Sequence, residues 1–170
     1  MTVGDPPFKP HDDALEQGDI IANVPIARWK DGKVIGETSK LCVVTSNECT
    51  CEDYERAKKR GSSALKRVWI HVAPLVNAST FPGEKQEELK RGRRYDKFYI
   101  YGDDKFDDHV ANVVQEQPVP AAALEGLQKS GRLADWQFKR LQIHCTVSRF
   151  HLKPEELFSE DLLQGAGSGT

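Results

Sequence analysis

Lys40-Leu41-Cys42-Val43-Val44-Thr45-Ser46-Asn47-Glu48-Cys49-Thr50-Cys51 is the stretch whose reading decides the fold. Leu41 to Val44 are apolar without a break, as in a strand covered on both faces. Thr45 to Glu48 follow with short polar side chains that let the backbone turn. Core and candidate chemistry therefore meet within a dozen residues.

Working outward toward the N-terminus, Asp31-Gly32 between the apolar pieces Trp29 and Val34-Ile35 is a hairpin signal. Gly36 to Ser39 predicts a further turn ahead of the central strand. Ile20 to Ile26 predicts a first strand, which Pro25 confines to an edge or a bulge. The first sixteen residues, with Pro6, Pro7, Pro10 and the run His11-Asp12-Asp13, read as a loose N-terminal arm.

Toward the C-terminus, residues 52–64 are polar and rich in helix formers up to Gly61, predicting a short helix or an excursion loop. Val68 to Val76 is the second buried strand, β-branched and aromatic throughout, with Pro74 near its end. Residues 82–93 read as a solvated linker or short helix, Tyr95 to Tyr101 as an aromatic strand, and Val110 to Val114 as an extension of the sheet. Pro118 and Pro120 mark a boundary. Ala121 to Lys129 then reads as a short helix and Leu133 to Phe150 as a longer one, although Leu141 to Val147 alternates as a strand would. The expected plan is one α+β domain over 17–158, between a flexible arm (1–16) and a flexible tail (159–170). Its body is a small, strongly curved, mostly antiparallel β-barrel with C-terminal helices.

The chain has 170 residues, 29% of them charged and 38% apolar, with a mean hydropathy of -0.58. A domain of this length buries roughly 70% of its unfolded surface and needs no staples. No apolar run is long enough to cross a bilayer, and the first residues lack the basic and apolar parts of a signal peptide, so no membrane and a cytoplasmic location are expected. The four cysteines are then read as reduced thiols. A formal charge of -2 excludes a polycation built as a whole for nucleic acid.

The charge is nevertheless uneven. Arg56, Lys58, Lys59, Arg60, Lys66 and Arg67 form one basic cluster, and Lys85, Lys90, Arg91, Arg93, Arg94 and Lys97 a second, while Asp103, Asp104, Asp107 and Asp108 gather the opposite sign. On one face the basic residues would bind phosphate, with Tyr95, Phe98, Tyr99 or Tyr101 for base stacking. Glu84, Glu87 and Glu88 leave ordinary solvated surface as the other reading. Cys49 and Cys51 could be two ligands of a zinc site completed from Cys42, Cys145, His71 and His144, yet the spacing is not that of a zinc ribbon or knuckle, and buried cysteine also serves as a small apolar side chain. No cofactor is expected.

Gln17-Gly18-Asp19-Ile20, Lys40 to Asn47 and Val72-Ala73-Pro74 together resemble the plan of PemK/MazF-type growth inhibitors. The chain is also similar to a group of uncharacterised bacterial and phage proteins sharing the Gln-Gly-Asp-Ile start, the Ser46-Asn47-Glu48-Cys49 turn, the Val-Ala-Pro strand and an Arg140-Leu141-Gln142 helix. The toxin resemblance covers roughly residues 17–76. It implies an SH3-like barrel, often a homodimer, that binds single-stranded RNA and cleaves it without metal, in toxin-antitoxin systems or phage-host conflict.

The toxins carry an arginine just before the central strand and a threonine or serine opening the Val-Ala-Pro strand; here Lys40 stands in the first position and Lys66-Arg67 in the second. Lysine keeps the charge but loses the bidentate fork. An endoribonuclease of this kind would use Lys40 and Arg67 for phosphate charge, with Ser46 or His71 near the reacting hydroxyl. Its nucleic-acid surface would be Lys58, Lys59, Arg60, Lys66, Arg91, Arg93, Arg94 and Tyr95. The alternatives are a non-catalytic module that kept the barrel and captures a protein partner, and a zinc-stabilised domain.

Overall fold

Two long strands form because bulges let them bend rather than break. The structure, a computed structural model of the chain, describes residues 6–10, 12–31, 33–92, 94 and 96–150. Strands β2 (Asp19–Lys30) and β3 (Lys33–Val44) pair from Ile20↔Val43 to Lys30↔Lys33, with register shifts between Ile21 and Val24 and between Arg28 and Trp29. Asp31 sits between them at φ 51°, as a two-residue hairpin turn requires. Gly36, expected in a turn, lies instead within β3 at φ 143°, opposite Arg28 where the register shifts. The predicted turn over 36–39 is thus a bulge in one continuous ribbon. Pro25 falls where β2 has a ladder on one side only, as its missing N–H demands.

Strand β4 (Trp69–Asn77) pairs with β3 from Cys42↔Pro74 to Val44↔Val72. Along its other edge run β6 (His109–Asn112) and β7 (Gln117–Pro120), both antiparallel to it and separated by the 3-10 turn Val113–Gln115. They act as one strand interrupted by a three-residue excursion. Pro118 and Pro120, expected to mark a boundary, sit inside β7 opposite His71 and Trp69. Strand β5 (Lys97–Ile100) pairs with β6.

Residues 121–129, expected as a helix, give only a 3-10 turn at Ala121–Leu124 before strand β8 (Lys129–Leu133) begins. β8 pairs with Asp19–Ile21 of β2 and with β1 (Phe8–Lys9), which lies within the N-terminal segment. Gly131 lets it lie close under Phe8, whose ring would stand 3.4 Å from an added Cβ. All pairings are antiparallel, in the order β1-β8-β2-β3-β4-β6-β5, and among the described residues the curved ladder does not close on itself.

The helices divide between the two faces of this sheet. Ile21, Cys42, Val44, Ile70 and Val72 pack with Tyr54 and Ala57 of α1 (Glu48–Arg60) and Leu65 of α2 (Ser62–Leu65). Ile20, Val43, Ala73 and Leu75 pack with Leu141 and Cys145 of α4 (Asp135–Phe150). Cys42, Val43 and Val44 are fully buried, so the central strand is covered on both sides as the sequence predicts. Burial of Leu141, His144 and Cys145 at helical spacing resolves the ambiguous 141–147 segment as helix. A third cluster, Ala78, Leu89, Tyr99 and Val110, seats α3 (Gly83–Lys90) beside β5. The α+β class, the mostly antiparallel sheet and the C-terminal helix are all present. Residues 151–158 of the expected domain and the tail 159–170 lie outside the described residues, and no described helix is long and apolar enough to cross a membrane.

The Gln-Gly-Asp-Ile motif has a structural cause. Gly18, at φ 89°, donates to the Val44 carbonyl and accepts from the Leu133 amide, with the Phe138 ring 3.2 Å from where a Cβ would stand. Asp19 is fully buried; it accepts from the Glu16 amide at 2.9 Å and from Arg132 Nε at 2.6 Å, and lies 3.0 Å from Lys129 Nζ.

Candidate nucleic-acid interface

The turn after the central strand fixes where α1 starts and what lies beside it. Asn47 Oδ1 accepts from the Thr50 amide at 3.0 Å, capping the helix, and the Thr45 and Ser46 amides both donate to the His71 carbonyl. Ser46 Oγ accepts from the His71 amide at 2.7 Å. The polar turn is thus fastened to β4 at one residue. Gly61, at φ 98°, ends α1, whose last turn carries Lys58, Lys59 and Arg60 beside the exposed carbonyl end of the helix.

Between α1 and the start of β4 lies a groove of about 430 Å³ bordered by Arg56, Arg60, Arg67, Val68 and Trp69. Arg56 is engaged by Glu52 at 3.1 Å and Asp53 at 3.4 Å, whereas Arg60 and Arg67 form no ion pair among the described residues. Trp69 is 51% exposed. Lys66 is exposed on the same short connection, while Lys58 and Lys59 turn toward two neighbouring cavities, one by Glu125 and one by Leu15. Of the first basic cluster, Arg60 and Arg67 therefore share the groove with a stacking surface. Trp69 was hidden in the sequence inside a strand read as buried.

The second cluster is differently placed. Arg94 grips Asp96 through two bonds of 2.8 Å, Lys97 joins them at 2.8 Å, and Lys90 pairs with Glu87. Burial works against the charge on Asp96, yet Arg94 and Lys97 outweigh it and hold the carboxyl at about 2. Arg91 is exposed at the end of α3. Phe98 and Tyr99, expected to be available for stacking, are core residues, and Tyr101 packs on Tyr99 and Trp136. Arg93 and Tyr95 lie outside the described residues. The two clusters rest on different cores, the first on the α1 and α2 side and the second beside α3 and β5.

Alternation along β4 puts Trp69 and His71 on one face, about 7 Å apart. The His71 side chain is 46% exposed, with Nδ1 3.2 Å from Oε1 of Glu116, a carboxylate only 10% exposed. Thr45 Oγ1 donates to the same oxygen at 2.7 Å, and Arg149, in the last turn of α4, donates to it at 2.5 Å and to the Thr45 carbonyl at 3.0 Å. Burial pushes the Glu116 pKa up, but the bonds from Arg149 and Thr45 and the nearby charges carry it below the usual carboxylate range. The sequence contains no local signal for Glu116 or Arg149. Neither stands in a motif, and the chain brings them to His71 from 45 and 78 positions away (116 - 71 and 149 - 71).

Of the four residues expected to carry catalysis, Ser46 and His71 meet, but Ser46 is buried and its oxygen is committed to a backbone amide. Arg67 stands at the groove by Trp69. Lys40 is apart from them. It is exposed on β3, on the face of Cys42 and Val44 that α1 covers, whereas His71 lies on the opposite face. It borders another groove of about 470 Å³ with Ile26, Pro74, Val76, Gln117 and Glu116, the carboxylate beside His71. Cys49 is exposed and Cys51 buried on the same helix, and burial pushes the thiols of Cys42, Cys51 and Cys145 up to about 12. Among the described residues no three His, Cys, Asp or Glu side chains are placed to hold a metal, so the Cys49/Cys51 pair gains no further zinc ligand there. Comparison of the chain with protein-family models and with curated proteins gives no match.

Proposed function

We propose that the protein engages single-stranded RNA in the cytoplasm as a PemK/MazF-like growth inhibitor, binding it at the groove bordered by Arg60, Arg67 and Trp69, with metal-free cutting at a ribose 2'-hydroxyl near His71, which shares a face of β4 with Trp69. The observation that carries this reading is the half-exposed Trp69 beside two arginines that form no ion pair among the described residues. An indole face stacks on any base, and guanidinium groups neutralise the flanking phosphates. Lys40 borders the groove that Glu116 lines rather than the one by Arg67, and in this reading it serves a second backbone contact.

The test is binding of a mixed-sequence single-stranded RNA to the wild type and to Trp69→Ala. Loss of a stacked base weakens binding about 5- to 150-fold. Equal affinity of the two proteins removes the groove from the account.

A second reading, protein capture, is favoured by Val34 and Ile35, both about half exposed on the distal part of β3, where its outer edge has no ladder among the described residues. The partner there would be an RNA-handling protein or a second copy of the chain. Val34→Glu would then abolish complex formation and leave RNA binding intact.

A further inference from the structure

His71 is held in a way that a purely structural histidine would not need. One ring nitrogen faces a largely buried carboxylate that accepts three hydrogen bonds from two other residues, Thr45 and Arg149, while nearly half of the His71 side chain remains in solvent. The Glu116 carboxylate, with Oε1 3.2 Å from Nδ1, favours the ring tautomer that carries its proton on Nδ1 and leaves Nε2 as a lone-pair acceptor. The carboxylate cannot swing away, because Thr45 holds Oε1 from the sheet and Arg149 grips both oxygens from α4. Cys145 of α4, also near it, is a buried thiol that burial pushes up to about 12, and Lys40 borders the groove on its other side.

We infer that His71 is the acid–base group of RNA cleavage at this site and that Glu116, clamped by Arg149 and Thr45, is its positioning residue. The inference rests on the RNA reading above. A base stacked on Trp69 brings its ribose toward His71, the neighbouring side chain on that face of β4. His71 Nε2 takes the proton of the 2'-hydroxyl as the 2'-oxygen bonds to the adjacent phosphorus. The bond from phosphorus to the next nucleotide's 5'-oxygen breaks, and that oxygen takes a proton from water. The products are a 2',3'-cyclic phosphate and a 5'-hydroxyl end, and the imidazolium returns its proton to solvent. Single-stranded DNA, which lacks the 2'-hydroxyl, is bound and left uncut.

The experiment measures binding and cleavage of a mixed single-stranded RNA by the full chain, by His71→Gln and by Glu116→Gln, with ¹⁵N spectra of the histidine rings. In both variants RNA binding is expected to change far less than cleavage. Cleavage falls about 10²- to 10⁴-fold in His71→Gln. Glu116→Gln lowers it as well and removes the signature of a neutral His71 ring protonated at Nδ1, a change that a merely structural role for Glu116 would not produce. His71→Gln alters a half-exposed side chain and serves as the test if Glu116→Gln fails to fold. RNA that is bound but never cut, or cut equally by His71→Gln, overturns the inference and leaves the RNA reading standing. Failure of the wild type to bind RNA even at low salt defeats the RNA reading itself.

Discussion

Asp19→Ala should be among the most damaging single substitutions in the protein. The carboxylate is fully buried and accepts from Arg132 Nε at 2.6 Å, Arg132 Nη2 at 3.3 Å and the Glu16 amide at 2.9 Å, with Lys129 Nζ 3.0 Å away. Arg132 is 5% exposed, and its remaining acidic partners, Glu16 and Asp12, are 48% and 70% exposed at the side chain. Alanine therefore strands a buried guanidinium with weakened compensation, which costs about 3–5 kcal/mol. For a chain of this length each kcal/mol moves the melting temperature by roughly 2–4 °C, so Tm should fall by about 6–20 °C. Urea unfolding followed by circular dichroism gives the free energy directly. The paired replacement Asp19→Leu with Arg132→Met removes both charges and should recover most of the loss. A loss below about 1 kcal/mol in Asp19→Ala, or a double variant no better than the sum of its singles, would refute the reasoning that the motif's aspartate anchors β2 to β8.

Other consequences are equally open to measurement. Gly102→Ala places a Cβ 2.0 Å from the Phe106 carbonyl oxygen, and should cost about 1–3 kcal/mol in urea unfolding as the 102–108 loop is forced aside. Glu116 has a folded pKa below its ordinary 4.5, so its contribution is present above that value and is lost as pH falls through the lower folded one. The urea midpoint should drop as the pH is lowered below that ordinary value, and less steeply in Arg149→Met. Of the four cysteines, Cys49 alone should react quickly with a thiol reagent in the native protein, and Cys42, Cys51 and Cys145 only on unfolding. Four equally fast thiols would contradict the burial described above.

What the sequence disclosed follows from the range of each signal. The 41–44 run and the 68–76 run reveal strands because burial on both faces writes itself into consecutive apolar residues. The Asp31 turn is equally local. β8 was missed because Lys129-Ser130-Gly131-Arg132-Leu133 looks polar; its burial depends on the distant partners Phe8 and Asp19. The site divides in the same way. His71, Arg60 and Arg67 could be proposed from type and spacing. Glu116 and Arg149 acquire their role only through contacts across the fold, and the exposure of Trp69 depends on where the sheet ends.

The most direct test of the RNA reading is the affinity of the wild type for single-stranded RNA across a salt series, set against Arg60→Ala/Arg67→Ala. Contacts from Arg60, Lys66 and Arg67 predict a slope of log K on log salt of about -2 for the wild type, most of it lost in the double variant. Binding that is absent at low salt, or a slope unchanged in the double variant, would contradict the account.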